Sequence, residues 1–108
     1  MVEKPWGSYE DIYRSDRLVV KNLTINSKCK ISHQRHNMRS EIWIVLSGKG
    51  RLYLNGKMFD LAAGDRFDVR QRDWHQVYND GDENLICLEI QQGICSENDI
   101  ERIEDALW

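Results

Sequence analysis

Short runs of alternating apolar and polar residues recur along the whole chain, and most of them end in a turn rich in glycine or asparagine. The strongest strand prediction is the continuous apolar run of residues 42–46, whose β-branched and aromatic side chains favour a strand. The clearest hairpin covers residues 50–61, because Asn55 and Gly56 suit a type I′ turn, in which both central residues have positive φ. Strands spaced this regularly predict an all-β barrel or sandwich instead of a parallel sheet.

The sequences at the two ends of the chain predict different structures. Residues 1–16 are predicted to form an extended arm, and residues 96–108 a short C-terminal helix or helical turns that pack on the barrel. The helix is predicted because Ser96 and Asp99 have the spacing of a capping box. In addition, Ile100, Ile103 and Leu107 are spaced to form one apolar stripe.

The region between these ends is predicted to be the barrel, over residues 17–92. In its first strand, over residues 17–25, we expect Leu18 and Val20 to face inward, followed by Leu23 and Ile25 after a change of register. The whole chain, residues 1–108, is predicted to be a single domain, because 108 residues are too few for two ordinary domains.

Charge and composition argue against several classes of function. The net charge is −3 and no basic block is present, so we expect no nucleic-acid partner. No apolar run approaches the length of a membrane span, and the first residues lack the apolar core of a signal peptide. The three cysteines show no CxxC spacing, which favours reduced thiols in a cytoplasmic protein.

Four side chains are candidates for a metal site. Gln34 and His36 are two residues apart and share one face of a strand, Glu41 opens the strongest strand, and His75 precedes a later one. Each residue alone is an ordinary strand residue, but together they offer two imidazole nitrogens and two oxygens. That donor set suits Zn, Mn, Fe, Co or Ni better than Ca, and it does not choose among them.

The strand that begins at Glu41 is apolar on both faces. If Glu41 faces a pocket, Trp43 lies on the same face, while Ile42, Ile44 and Leu46 face the other way. A barrel needs only one apolar face, so the outer face is expected to be covered by the N-terminal arm or by a second subunit. This pattern favours a homodimer.

The spacing of these residues resembles that of the cupin superfamily. The first cupin motif resembles Gln34-x-His36-x4-Glu41-x6-Gly48, and the second resembles Gly64-x10-His75-x3-Asn79. More narrowly, the chain resembles the C-terminal isomerase domain of type II phosphomannose isomerases, which is fused to a mannose-1-phosphate guanylyltransferase in bifunctional enzymes. The matching segments are Lys4-Pro5-Trp6-Gly7-Ser8-Tyr9-Glu10, Ser32-x-Gln34-x-His36-x2-Arg39-x-Glu41-x-Trp43, Glu89-Ile90-Gln91-x-Gly93 and Asp99-Ile100-x-Arg102-Ile103-Glu104-Asp105.

This resemblance implies a fold and an activity. The fold would be a cupin-type double-stranded β-helix, or jelly-roll, barrel. The activity would be the metal-dependent interconversion of mannose 6-phosphate and fructose 6-phosphate, which serves GDP-mannose and polysaccharide precursor synthesis. The sequence lacks the glycine-rich phosphate loop of the nucleotidyltransferase, so we expect the isomerase domain to stand alone.

The resemblance also implies roles for particular residues. The metal ligands would be Gln34, His36, Glu41 and His75. Arg39, Lys21 and Glu89 are the candidates for catalysis, with Glu89 or a metal-bound hydroxide as the base. The candidates for holding the sugar phosphate are Arg39, Lys21 and Trp74. A solvated strand lysine is an equally good interpretation of Lys21.

Three positions of the first motif depart from the family pattern, and in the second motif Arg70 and Arg72 replace a proline and a glycine. Asn37, Met38 and Ile42 stand where the family usually has histidine. These departures favour a second hypothesis, a non-catalytic metal-binding cupin that binds a sugar phosphate or nucleotide sugar, as a partner of a guanylyltransferase. A third hypothesis is a cupin with other metal chemistry, such as oxygenation.

Overall fold

The computed structural model of the protein describes residues 1–103. These residues form eleven strands and no helix, so none of them belongs to an apolar helix long enough to cross a membrane. The strands are β1 (Val2–Lys4), β2 (Gly7–Arg14), β3 (Leu18–Ile25), β4 (His33–Arg35), β5 (Arg39–Ser47), β6 (Lys49–Leu54), β7 (Lys57–Ala62), β8 (Arg66–Val69), β9 (His75–Tyr78), β10 (Leu85–Gly93) and β11 (Glu101–Ile103).

The strands form two antiparallel sheets that share one core. The six-stranded sheet has the order β1-β2-β3-β10-β5-β8, and the five-stranded sheet has the order β11-β4-β9-β6-β7. Alternate residues of the strands point inward, and apolar side chains from both sheets meet between them, including Ile25 and Trp43 from one and Leu52 and Val77 from the other. The predicted all-β barrel is therefore confirmed.

The hairpin predicted at Asn55 and Gly56 is present. Strands β6 and β7 pair up to Leu54 and Lys57, which leaves two residues in the turn. Asn55 has φ of 47° and Gly56 has φ of 86°, the positive values that a type I′ turn requires.

The prediction for the first half of β3 is wrong, whereas Leu23 and Ile25 face inward as predicted. Its buried residues are at alternate positions from Val19 through Lys21 to Ile25, so Leu18 and Val20 face outward and no change of register occurs within the strand. The irregularity lies in the neighbouring strand β2 instead. The physical reason is that Lys21 pairs with Glu89 of β10 inside the barrel, so a charged residue occupies an inner position that apolar patterning does not expect.

The first sixteen residues extend the six-stranded sheet. Strands β1 and β2 form a hairpin, and β2 pairs with β3 along most of its length. Trp6 and Tyr9 from this hairpin pack against the core. The hairpin thus lies beside β3 in the sheet and leaves the outer face of β5 uncovered.

The C-terminal helix predicted over residues 96–108 is wrong for the described residues. Ser96 and Asp99 form a single turn, and the following residues pair as β11 with β4. The backbone groups of the β4 edge need hydrogen-bond partners, and β11 supplies them. The Asp99 carboxylate accepts hydrogen bonds from the backbone N–H groups of Asn37 and Met38 instead of capping a helix. Residues 104–108 lie outside the described residues.

Candidate metal centre

A cavity of about 230 Å³ lies between the two sheets. Strands of both sheets and the segment before β11 contribute to its walls. The residues that line it are Lys4, Trp6, Tyr9, Lys21, Leu23, Ile31, Ser32, Gln34, His36, Arg39, Trp43, Glu89, Gln91, Glu97, Ile100 and Arg102.

Three of the four predicted ligands converge beside this cavity. His36 follows β4, Glu41 lies in β5 and His75 opens β9, and their donor atoms all lie within 4.8 Å of one another. His36 Nε2 is 3.3 Å from Glu41 Oε2, and His75 Nε2 is 3.5 Å from Glu41 Oε1. Because zinc takes nitrogen and oxygen ligands at about 2.0–2.2 Å, donors at these separations can share one ion.

Both imidazoles are oriented by backbone carbonyls. His36 Nδ1 lies 2.7 Å from the carbonyl oxygen of Asp99, and His75 Nδ1 lies 3.1 Å from that of Asp73. A carbonyl can only accept, so each Nδ1 carries the hydrogen and each Nε2 presents a lone pair beside Glu41. Metal-binding histidines are typically held in this way.

The donor set fits a divalent transition metal. His75 Nε2 is buried and has no hydrogen-bond partner among residues 1–103, although it lies beside the Glu41 carboxylate. A cation shared by Glu41, His36 and His75 would satisfy this atom. Nitrogen and carboxylate donors suit Zn, Mn, Fe, Co and Ni and do not select one of them.

Gln34, the fourth predicted ligand, lies on β4 beside His75 of β9. It is directly opposite His75 in the pairing of β4 with β9, and its side chain lines the cavity. Residues opposite each other on neighbouring strands share a face. Its role as a fourth ligand stays a prediction.

Arg39 and Trp43 hold the carboxylate of Glu41. Nε and Nη2 of Arg39 both lie 3.0 Å from Glu41 Oε2, and Trp43 Nε1 donates to Glu41 Oε1 at 2.9 Å. Arg39 Nη2 also lies 3.2 Å from His36 Nε2. Arg39 therefore lies at the candidate metal centre itself.

The charges of Glu41 and His36 follow from this environment. Burial opposes ionisation of Glu41, but His75, the hydrogen bond with Glu89 and the Arg39 guanidinium lower its pKa to about 2. Burial lowers the pKa of His36, and Arg39 lowers it further, against the opposing effect of Glu41. Near neutral pH, Glu41 is therefore ionised and His36 is neutral, the states in which both can bind a metal.

Glu89 forms a carboxyl pair with Glu41. Burial, the negative charge of Glu41 and their shared hydrogen bond raise the pKa of Glu89 well above its ordinary value. Gln91 Nε2 donates to Glu89 Oε1 at 3.1 Å. Glu89 is therefore the protonated member of the pair, and it lines the same cavity as Arg39 and His36.

Lys21 faces the cavity. This position agrees with its interpretation as a candidate site residue and not with that of a solvated strand lysine. The side chain is only 7% exposed, and its Nζ lies 3.1 Å from Glu97 Oε1 and 4.3 Å from the centre of the Tyr9 ring. Lys21 is also directly opposite Glu89 in the sheet. Its charge is thus engaged by a carboxylate at the cavity wall.

Trp74 is not at the cavity, so the structure does not support its predicted contact with the sugar. Its ring packs edge-on against His33, with the ring centres 5.6 Å apart, and the Arg35 guanidinium lies 4.7 Å from its centre. His75 points inward, and the preceding residue points to the opposite side of the sheet.

Comparison with known proteins identifies the family. The family model described as mannose-6-phosphate isomerase C-terminal matches residues 1–105. The chain belongs to this family. The alginate biosynthesis protein AlgA of Pseudomonas aeruginosa is 35% identical over 105 residues, covering 96% of this chain and 22% of that protein.

A second relative and a solved structure are also similar to this chain. A mannose-1-phosphate guanylyltransferase of Klebsiella pneumoniae is 33% identical, again over 96% of this chain and 22% of the relative. The chain therefore spans about a fifth of the length of these relatives. A conserved protein of Klebsiella pneumoniae with a double-stranded β-helix domain has a TM-score of 0.80 at 20% identity, with 96% of this chain and 91% of that chain covered. This likeness shows the cupin-type fold.

The departures from the family pattern do not line the cavity of this isomerase-family domain. Asn37 and Met38 are exposed, and their backbone N–H groups bind the Asp99 carboxylate. Ile42 lies on the outer face of β5, on the opposite side of the strand from Glu41. The cavity wall therefore retains its candidate ligands and cations despite these three changes.

Sequence reasoning missed several residues of the site. Gln91, Asp99 and Glu97 each contact a predicted functional residue. Gln91 could have been found, because it is two residues beyond Glu89 on the same strand and shares its face. Nothing local in the sequence connects Asp99 to His36, 63 residues away.

Proposed function

We propose that this domain is a metal-dependent aldose–ketose isomerase that interconverts mannose 6-phosphate and fructose 6-phosphate for the synthesis of GDP-mannose and polysaccharide precursors. The observation that carries the proposal is the convergence of His36, Glu41 and His75 beside a cavity that also contains the protonated carboxyl of Glu89. The family of the chain supports the choice of substrate.

A divalent metal held by His36, Glu41 and His75 would polarise the oxygens at C1 and C2 of the open-chain sugar. Isomerisation then requires a proton to move between these two carbons. Glu89 is suited to that transfer, because a carboxyl with a raised pKa is a stronger base once it has lost its proton: the ionised form would take the proton from one carbon, and the protonated form would return it to the other. Gln91 fixes the Glu89 carboxyl by donating to its Oε1.

Arg39 and Lys21 have supporting roles in this proposal. Arg39 holds Glu41 and contacts His36 Nε2, so it orients the ligands and supplies positive charge where negative charge develops on the sugar oxygens. Lys21 lies opposite Glu89 and adds a second cation to the same wall. Both residues can also donate hydrogen bonds to sugar hydroxyl groups at the cavity.

A coupled assay for fructose 6-phosphate tests the proposal. Purified protein is loaded in turn with Zn, Mn and Co and supplied with mannose 6-phosphate, and turnover with at least one metal is expected. No turnover with any metal, alongside retained binding of the sugar phosphate, would contradict the isomerase activity.

A second candidate function is supported by the relatives. The sequences that match this chain are longer proteins that include guanylyltransferases by name, and the match covers 22% of them. The alternative proposal is a non-catalytic metal-binding cupin that binds a sugar phosphate or nucleotide sugar beside a guanylyltransferase. Binding without turnover, and co-purification with a guanylyltransferase, would favour it.

We also propose that the domain acts in the cytoplasm as a homodimer. The three cysteines are free, as expected in a reducing compartment. The outer face of β5 carries Ile42 and Ile44 and the half-exposed Leu46, and the N-terminal hairpin does not cover it. A second copy packed on this face would bury it. Light scattering should give a dimer that Leu46→Lys weakens, whereas a monomeric wild type would contradict the homodimer.

A further inference from the structure

Three residues on the same face of the five-stranded sheet form a row across it. Arg102 of β11 is directly opposite Gln34 of β4, and Gln34 is directly opposite His75 of β9. Residues opposite each other share a face, and Arg102 and Gln34 both line the cavity. Neighbouring strands are about 4.8 Å apart, so the row spans about 10 Å from the metal ligand His75 to Arg102.

The cations that line the cavity differ in their partners. Arg39 is paired with the buried Glu41, and Lys21 is paired with Glu97. Arg102 instead donates from Nε to the hydroxyl of Ser32 at 3.3 Å, and no carboxylate of residues 1–103 forms an ion pair with it.

Lys4 is a second exposed cation that lines the cavity. It lies on β1 of the other sheet, and it forms no ion pair with any residue in the described range 1–103. Among residues 1–103, the cavity is therefore lined by two cations paired with carboxylates, Arg39 and Lys21, and by two that form no ion pair, Lys4 and Arg102.

We propose that Arg102, Lys4 and Ser32 form a subsite for a phosphate monoester at the cavity. A guanidinium group binds two phosphate oxygens in parallel, a lysine ammonium adds a point charge, and a serine hydroxyl can donate a third hydrogen bond. Arg39 and Lys21, which the sequence favoured for the phosphate, are already engaged by Glu41 and Glu97.

The position of the subsite matches the proposed substrate. An extended hexose 6-phosphate carries its phosphate at the opposite end from C1 and C2. With C1 and C2 at His36, Glu41 and His75, the phosphate would lie at the other end of the row, beside Arg102. In this respect the inference rests on the proposed function, although phosphate binding can be measured without turnover.

Calorimetric titration of the metal-loaded protein tests the subsite. Mannose 6-phosphate, mannose, inorganic phosphate and a nucleoside diphosphate sugar are titrated into wild type, Arg102→Gln and Lys4→Gln. The matched control is Arg66→Gln, which removes an exposed arginine paired with Asp68 outside the cavity. Bound metal and thermal stability are measured for every variant, so that loss of the fold is recognised.

Arg102→Gln should lower the affinity for mannose 6-phosphate and for inorganic phosphate about tenfold, as expected for the loss of charged hydrogen bonds. Lys4→Gln should weaken both about threefold, with an effect that shrinks at high salt. Neither change should alter metal content or the weak binding of mannose, and Arg66→Gln should match wild type. Lys4 lies in the other sheet, so its effect does not depend on the docking of β11.

Phosphate binding that depends on Arg102, without any isomerase turnover, would support the subsite and contradict only the proposed reaction. If the protein turns over mannose 6-phosphate but both variants bind it as tightly as wild type, the subsite is overturned and the proposed reaction is not. A wild-type protein that binds neither anion would also overturn it. Tighter binding of a nucleoside diphosphate sugar, with the same dependence on Arg102, would overturn the assignment to a monoester.

Discussion

Arg39 and Glu41, two residues apart on β5, form a buried ion pair in which two guanidinium nitrogens each lie 3.0 Å from the same carboxylate oxygen. That oxygen is also the one that lies 3.3 Å from His36 Nε2. The arginine and a bound metal therefore share the same carboxylate, and each provides positive charge that stabilises it.

Arg39→Met should destabilise the metal-free protein and strengthen its response to metal. Removing one partner of a buried ion pair costs about 3–5 kcal/mol, because the Glu41 charge is left uncompensated. A metal restores the missing charge, so the rise in melting temperature on adding Zn or Co should be larger for the variant. Urea unfolding and thermal scans with and without metal measure both effects.

Arg66→Met is the control for this prediction. Arg66 and Asp68 are exposed and paired at 3.2 Å, so the change should cost no more than about 1 kcal/mol. An equal metal response in Arg39→Met and wild type would show that Arg39 does not influence the metal centre.

His36→Ala and His75→Ala should each abolish metal loading, whereas His33→Ala should retain it. The three histidines of the chain lie close together in the fold, but His33 packs against Tyr53 and Trp74 on the opposite side of the sheet. Elemental analysis of the purified proteins provides the measurement. Full metal content in either of the first two variants would refute the shared site.

Glu89→Gln should remove a pH dependence from the stability of the metal-free protein. The folded-state pKa of Glu89 is raised, so between its ordinary value of 4.5 and the raised value the folded protein binds more protons than the unfolded chain. Stability therefore falls as pH increases through that window, by about 1.4 kcal/mol for each unit of the shift. Glutamine cannot ionise, so the variant should gain stability relative to wild type as pH rises from 5 to 8.

The same variant tests the catalytic role of Glu89. If its carboxyl moves the proton between C1 and C2, turnover should fall by about 10²–10⁴-fold with metal content unchanged. Glu83→Gln, in an exposed turn, should leave both the pH profile and the turnover unaltered. Full turnover in Glu89→Gln would assign the proton transfer to another group.

Asp99→Ala should weaken metal binding, although Asp99 does not line the cavity. Its carboxylate accepts hydrogen bonds from Asn37 and Met38, and its backbone carbonyl accepts from His36 Nδ1. Without the carboxylate the loop after His36 is held less firmly, and metal affinity should fall about tenfold, as for other groups that orient a ligand. Competition with a chromogenic chelator measures this change.

Asp99→Asn is the matched control. The amide keeps one acceptor for the backbone N–H groups, so metal affinity should lie between those of wild type and Asp99→Ala. Identical affinities in all three proteins would show that the Asp99 side chain plays no part in positioning His36.

Local sequence patterns determined much of the fold and of the candidate metal centre. The Asn55-Gly56 hairpin, the inward side of β5 and the spacing of His36, Glu41 and His75 were all readable from the sequence. The reason is that strand alternation and turn geometry depend on neighbouring residues. The family resemblance rested on the same short motifs, and the model of the isomerase C-terminal family matches almost the whole chain.

Only the tertiary structure decided how distant strands meet. The pairing of β11 with β4 turned a predicted helix into a strand, because an open sheet edge offers more hydrogen bonds than one local capping box. The same pairing placed Arg102 in line with Gln34 and His75, and the turn before it brought Asp99 to His36. Such contacts join residues from about 40 to 70 positions apart, and no local pattern encodes them.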